Sequence, residues 1–225
     1  AAFRTAAALL LGVGGFLPLD PALAELAALP AEDRAGIDHA WADLRGPWRG
    51  RELPRAGWTL ARVRPANHPV RRLVGFAALL ARCGRAGLLA ACLEAFTAED
   101  PATGLAEVRA LLLGPPRPGD PFGRYLGGDR IVEMLTSVVL PFALAYAAWV
   151  EDERLGQGAA ALWERVPASS GNEPVRALLA QIAGGAAIRV RTGRQQQGAL
   201  HLFRHYCEAR RCFECPIARL GRAAE

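Results

Sequence analysis

Three cysteines near the C-terminus are the residues whose types and spacing are best suited to chemistry. Cys207, Cys212 and Cys215 stand at C-x4-C-x2-C and are followed by Pro216. A CxxC pair lets two thiolates reach one ion across a tight turn, and a third sulfur at the preceding helix end extends the set toward a zinc or iron–sulfur site. Arg210 and Arg211 beside them are expected to lower the thiol pKa values and ease deprotonation. A four-coordinate site needs one more ligand, for which His201, His205, Cys83 and Cys92 are the candidates. The competing readings are buried thiols or a disulfide for the trio and solvent-exposed rings for the histidines. Cys83 and Cys92 lie among Leu79, Leu80, Leu88, Leu89 and Leu93, which makes them core residues by pattern.

A second constellation runs from Arg62 to Arg72. Asn67 or His68 can cap a helix, Pro69 suits its first turn, and Arg71 and Arg72 flank a helix N-terminus that attracts phosphate or carboxylate. Arg64, Asn67, Arg71, Arg72, Arg210 and Arg211 are therefore the expected anion or nucleic-acid contacts. The competing reading is a rigid turn whose arginines pair with the acidic middle of the chain. The sequence holds no P-loop, G-x-G-x-x-G, G-x-S-x-G, HExxH or EF-hand pattern, so no catalytic residue is assigned.

The elements that must position these residues are helical. With 225 residues, 52% hydrophobic and 22% charged, the chain has material for a sizeable core; disorder, collagen and a small disulfide scaffold are excluded. All 27 basic residues are arginine, which reads as coding bias. Charge is uneven: residues 1–44 carry −4, 45–85 carry +9, 86–185 carry −5 and 186–225 carry +5, so two basic segments flank an acidic middle and, if they meet, form one positive face.

Periodicity predicts an all-α, irregular bundle of about nine or ten helices. They are placed at 2–13, 21–29, 31–45, 69–82, 85–97, 103–113, 129–149, 153–166, 173–183 and 194–209, ending in a cysteine knuckle at 207–217. Asp129 and Asn172 read as N-caps. The Pro/Gly-rich stretch 114–128 is the best loop or linker, within one domain spanning 1–225. Residues 46–67 are the least helical, with room for a lone strand or an extended arm. The apolar run Met134–Val150, with Pro141 inside it, is expected to be a central buried helix, kinked or restarted at the proline, and not a membrane span. Ala1 to Ala24, with Arg4, the apolar run Ala6 to Leu19 and Ala22-Leu23-Ala24, has a signal-peptide flavour, but Gly12, Gly14, Gly15 and Pro18 fit a helix closed by a glycine turn.

Several segments in order, Leu10 to Pro18, Arg64 to Pro69 with Arg71, Val138 to Phe142, and Gln196-Gln197-Gly198 through Cys215-Pro216, together resemble an uncharacterised bacterial family, a domain of unknown function. The resemblance implies that this chain is the C-terminal half of a longer protein whose N-terminal half has an acidic, histidine-rich β pattern of nuclease-like character. Any active site would then lie in that half. Where members of that family carry Asn four residues before the proline, this sequence has Ser137. The ending also resembles the last part of the iron–sulfur loop of helical DNA-repair glycosylases, but Gly221 stands where a fourth cysteine would fall.

These readings lead to two expectations. The first is a helical accessory domain of a nucleic-acid-processing protein, with DNA or RNA as partner and a zinc or iron–sulfur site at Cys207, Cys212 and Cys215. The second is a helical scaffold that packs on its own N-terminal half or on another protein, with the knuckle as a staple and an exposed apolar patch on its surface. A cytoplasmic location is expected from the weak targeting signal and free-cysteine usage.

Overall fold

The computed structural model describes residues 1–20, 29–60, 63, 67–116, 125–169, 172–183 and 187–222. The expected helix at 21–29 lies almost wholly outside these residues. The described chain is all-α, and among the described residues the one β feature is an isolated antiparallel bridge, Pro167 with Thr192. The chain divides into two compact units: Ala1–Cys92 with Glu107–Gly127, and Leu93–Ala106 with Gly128–Glu225. Two of the crossings fall inside helices α4 (Gly87–Phe96) and α5 (Pro101–Leu113), and the third falls at the end of the Pro/Gly stretch.

The first unit is organised by α1 (Ala2–Val13), which packs on α2 (Ala31–Leu44) and α3 (Pro69–Cys83). The Ala/Leu composition favours helix, and the buried Ala7, Ala8 and Leu11 join Ile37, Trp41, Val70 and Val74 in one core. Gly12 lets Trp41 lie directly on α1, since a Cβ there would fall 2.3 Å from the indole. α1 ends in a Schellman turn: Gly15 has φ +73° and donates to Gly12, while Phe16 donates to Leu11.

The poorly helical stretch after α2 explains the glycines. Leu53 N–H donates to the Val13 carbonyl at 2.7 Å, and Trp58 Nε1 donates to the Gly14 carbonyl at 2.8 Å, so two orphan carbonyls at the helix end are satisfied. The stretch carries short 3-10 turns at Gly46–Trp48 and Arg55–Gly57, so its described part is an arm that closes α1 and not a strand. At the other end of α3, Arg82 donates to the Leu111 and Leu112 carbonyls, both at 3.1 Å, and ties down the end of α5.

The second unit is built on α6 (Gly128–Met134) and α7 (Leu140–Trp149), joined by a π turn over Leu135–Val139. The turn answers the proline. Pro141 has no N–H and in a regular α-helix its ring would collide with the carbonyl of Ser137; here the ladder shifts by one residue and Leu140 donates to Leu135. The expected kink or restart is thus a π turn within a continuous helical run. α8 (Glu153–Arg165) packs along α7, with Asp152 accepting from Leu155 N–H as its cap; Asn172 caps α9 (Glu173–Ile182) as expected. Asp129 lies one residue inside the first turn of α6.

α10 (Gly193–Leu202) opens with a capping box in which Thr192 and Gln195 satisfy each other's backbone N–H groups. Gln196, buried, accepts from Ser169 N–H and hydroxyl and donates to its carbonyl. Gln197 donates to the Ser137 hydroxyl at 3.1 Å. Each residue of the glutamine run therefore holds a different segment of this unit.

Candidate functional site

The cysteine knuckle follows α10 through a second π turn, Phe203–Cys207, with Glu208 N–H donating to the Phe203 carbonyl. Arg210 adopts a left-handed conformation, φ +53°, and Arg211 N–H donates to the Tyr206 carbonyl at 2.7 Å. The chain then turns through Cys212, whose carbonyl accepts from Cys215 N–H, into α11 (Pro216–Arg222), a helix the sequence reading missed.

The three thiols differ in setting. Cys212 is exposed, Cys215 is buried and Cys207 is half-buried against the apolar cluster of Val175, Leu178 and Ala199. Burial pushes the Cys207 thiol up, with Cys215 and Cys212 acting in the same direction. The expected lowering by the neighbouring arginines is therefore corrected for this thiol: desolvation dominates, and Arg211 is spent on an ion pair with Glu214. Among the described residues no group of three or more His, Cys, Asp or Glu side chains is gathered to hold a metal ion. His201 and His205 are exposed and lie against each other with ring centroids 4.1 Å apart and planes tilted by 39°. Cys83 and Cys92 are core residues as expected; burial, with a smaller contribution from Cys83, pushes the Cys92 thiol up to about 11.

The arginine constellation at the start of α3 is dismantled by the fold. Arg64 lies outside the described residues. Arg71 is 1% exposed, with its guanidinium over the Tyr125 ring, 5.4 Å from the centroid. It therefore cannot face a phosphate in solution, and the expectation is corrected. The reason is periodicity: Arg71 shares a face with Val74 and Gly75, and that face is the buried one. Arg72 donates to the Asn67 side-chain amide oxygen, Oδ1, at 2.9 Å, so these two expected contacts bind each other. His68 occupies the N-cap position without a side-chain cap bond, and its Nδ1 is buried without a hydrogen-bond partner among the described residues. Arg210 remains exposed.

The surface that sequence reasoning missed lies on α7. One side of the π turn and α7 is core, through Leu135, Val139, Leu140, Ala143 and Ala147. The opposite side presents Val138 at 63% exposure, Phe142 at 53% and Trp149 at 80%. Tyr146 links the aromatics into a ladder, 6.4 Å from Phe142 and 5.9 Å from Trp149 between ring centroids. The central helix is thus buried on one face only. Glu151, Asp152 and Glu153, all exposed, close the stripe. By length and composition the runs Pro69–Phe96 and Gly128–Trp149 are long and apolar enough to cross a membrane, a test that core helices also pass.

In the first unit an open cleft of about 410 Å³ is lined by Gly12, Leu17, Asp38, Trp41, Arg45 and Glu52 among others. Its Asp38 carboxylate already accepts from Leu19 N–H at 3.2 Å.

Fold and surface together define an all-α protein with an apolar helix face flanked by acids and a separate arginine-rich turn. Compared with protein-family models, with curated proteins and with solved structures, the chain matches none of them.

Proposed function

We propose that this chain is a helical protein-interaction scaffold that docks through the outer face of α7, with the cysteine knuckle serving as a staple for the C-terminal turn. The carrying observation is the aromatic ladder on the α7 stripe, in which exposed Phe142 and Trp149 are bridged by half-buried Tyr146. Large aromatic side chains in solvent leave apolar area unburied at roughly 25 cal/mol per Å², and a contiguous exposed patch of this kind marks an interaction surface. Aromatics are also the residues that anchor protein interfaces. Support for the nucleic-acid expectation is weaker, because Arg71 is buried and Arg211 and Arg72 have intramolecular partners.

The test is site-specific photo-crosslinking in the expressing cell. A benzophenone amino acid replaces Ala145, which is exposed on the same helix between Phe142 and Trp149, and a control probe replaces Gln157 on α8. Protein adducts at position 145 that disappear in Phe142→Arg, Trp149→Arg support the reading. No protein adduct at 145, together with salt-dependent binding of DNA or RNA by the purified chain, overturns it in favour of the nucleic-acid reading. The staple role predicts that a chelator leaves the helical content and the adducts unchanged.

A further inference from the structure

Two apolar patches in the second unit carry opposite charge at their tips. The α7 stripe ends at Glu151 and Glu153. The C-terminal turn presents Leu220 at 69% exposure with Ile217 partly exposed; Arg219, on the same short helix, is exposed, as is Arg210 in the turn that precedes it. Ile217 and Leu220 are three residues apart on α11, so they share one helix face. Because each patch is open to solvent, neither is used to cover the other within one chain.

The backbone marks the same two tips. Among the described residues the non-glycine residues with positive φ are Glu151, at φ +57°, and Arg210, at φ +53°. Both sit where a helix closes and where glycine is the usual residue. A Cβ disfavours this conformation, and the two positions that bear that strain hold a carboxylate and a guanidinium of opposite sign.

We propose that the occupant of the α7 face is the α11 turn of a second copy of this chain, and that a two-fold axis makes the contact reciprocal. This rests on the reading of α7 as a docking face and names its partner. In such a dimer Ile217 and Leu220 of one copy lie on Phe142 and Trp149 of the other, Arg210 and Arg219 meet Glu151 and Glu153, and the same contact recurs across the axis. A two-fold axis that engages both contacts at once closes the pair as an isologous dimer, whereas the same two patches joined head to tail continue into a ring or open chain. The closed form is the one proposed, and assembly that grows past the dimer with concentration overturns it. A lipid surface fits the stripe less well: its flank is acidic, whereas helices that lie on or end at membranes carry basic and amphipathic flanks.

The experiment is sedimentation equilibrium on the whole chain at low salt in the high micromolar range, with helical content checked for each variant. Wild type is expected to dimerise, more weakly as salt rises, because exposed charge pairs are screened. Glu153→Arg and Arg219→Glu alone are each expected to weaken dimerisation at least ten-fold. Mixing the two variants is expected to restore it, since in the mixed dimer one site pairs the native charges and the other pairs the swapped ones. A monomeric wild type, or a mixture no better than either variant, overturns the self-docking. Adducts at position 145 of a mass other than the dimer would then show that the docking face stands and only its occupant was misassigned. Co-sedimentation with phosphatidylcholine or phosphatidylserine vesicles in place of dimerisation overturns it in favour of lipid.

Discussion

Helices α1 and α7 are both apolar, and both end in the same backbone turn, yet different residues make that turn. At the end of α1 the left-handed position is Gly15, and a Cβ there would stand 2.1 Å from the Leu53 carbonyl oxygen. At the end of α7 the same position is Glu151, with φ +57° and Asp152 N–H donating back to the Ala147 carbonyl. In the first case the neighbouring backbone is so close that only glycine fits. In the second the residue points into solvent at the tip of an exposed apolar stripe, and the conformational cost is borne locally. The difference separates a helix end that is part of the core from one that belongs to a surface.

The comparison breaks most sharply at Gly15. Gly15→Ala adds a Cβ both to a left-handed backbone and onto the Leu53 carbonyl, so it should destabilise the first unit by about 3 kcal/mol or more, read from the urea midpoint of Trp58 fluorescence. Next comes Arg71→Leu, which removes a buried cation from the Tyr125 ring and should cost about 2–3 kcal/mol. If Arg71→Leu is neutral while it weakens anion binding, the buried placement of Arg71 is wrong and the original expectation of a phosphate contact returns. Trp58→Phe keeps an aromatic ring of smaller size but deletes the donor to Gly14, leaving a helix-end carbonyl unsatisfied. A loss of about 1 kcal/mol is expected, and no loss would mean that the arm closes α1 by packing alone.

Much of the helical framework is legible in sequence because apolar spacing and its terminators agree. Expected boundaries at 2–13, 69–82, 153–166 and 173–183 lie within a residue or so of Ala2–Val13, Pro69–Cys83, Glu153–Arg165 and Glu173–Ile182. The π turns were not legible, since they add one residue to a turn without changing composition. α11 is only seven residues long, too short for a periodic signal. Arg71 and Gln196 could have been found: each is three residues before a buried small or branched residue, Val74 and Ala199, and so sits on the inward face. The site itself was the least legible. When every side of a helix is apolar, as on α7, hydrophobicity no longer says which face meets the core, and the exposed ladder emerges only from the packing of α8. The cysteine spacing, conversely, is a clear signal in sequence, and among the described residues it brings no metal-holding group of three side chains with it.

The smallest effect is the most informative about α7. Replacing Glu151 by Gly relieves the left-handed strain of roughly 1–2 kcal/mol, while glycine's extra freedom in the unfolded chain takes back about 0.5–1 kcal/mol. The net expectation is a monomer more stable by about 0.5–1 kcal/mol, measured as a rise in the urea midpoint of the second unit at a concentration where the chain is monomeric. The same substitution deletes one of the carboxylates facing Arg210 and Arg219 across the dimer, so self-association should weaken. Stability and association moving in opposite directions would mean that Glu151 is retained at the helix end for what it contacts in another molecule. If Glu151→Gly raises both together, the residue stands there for no reason of recognition, and α7 ends as α1 does.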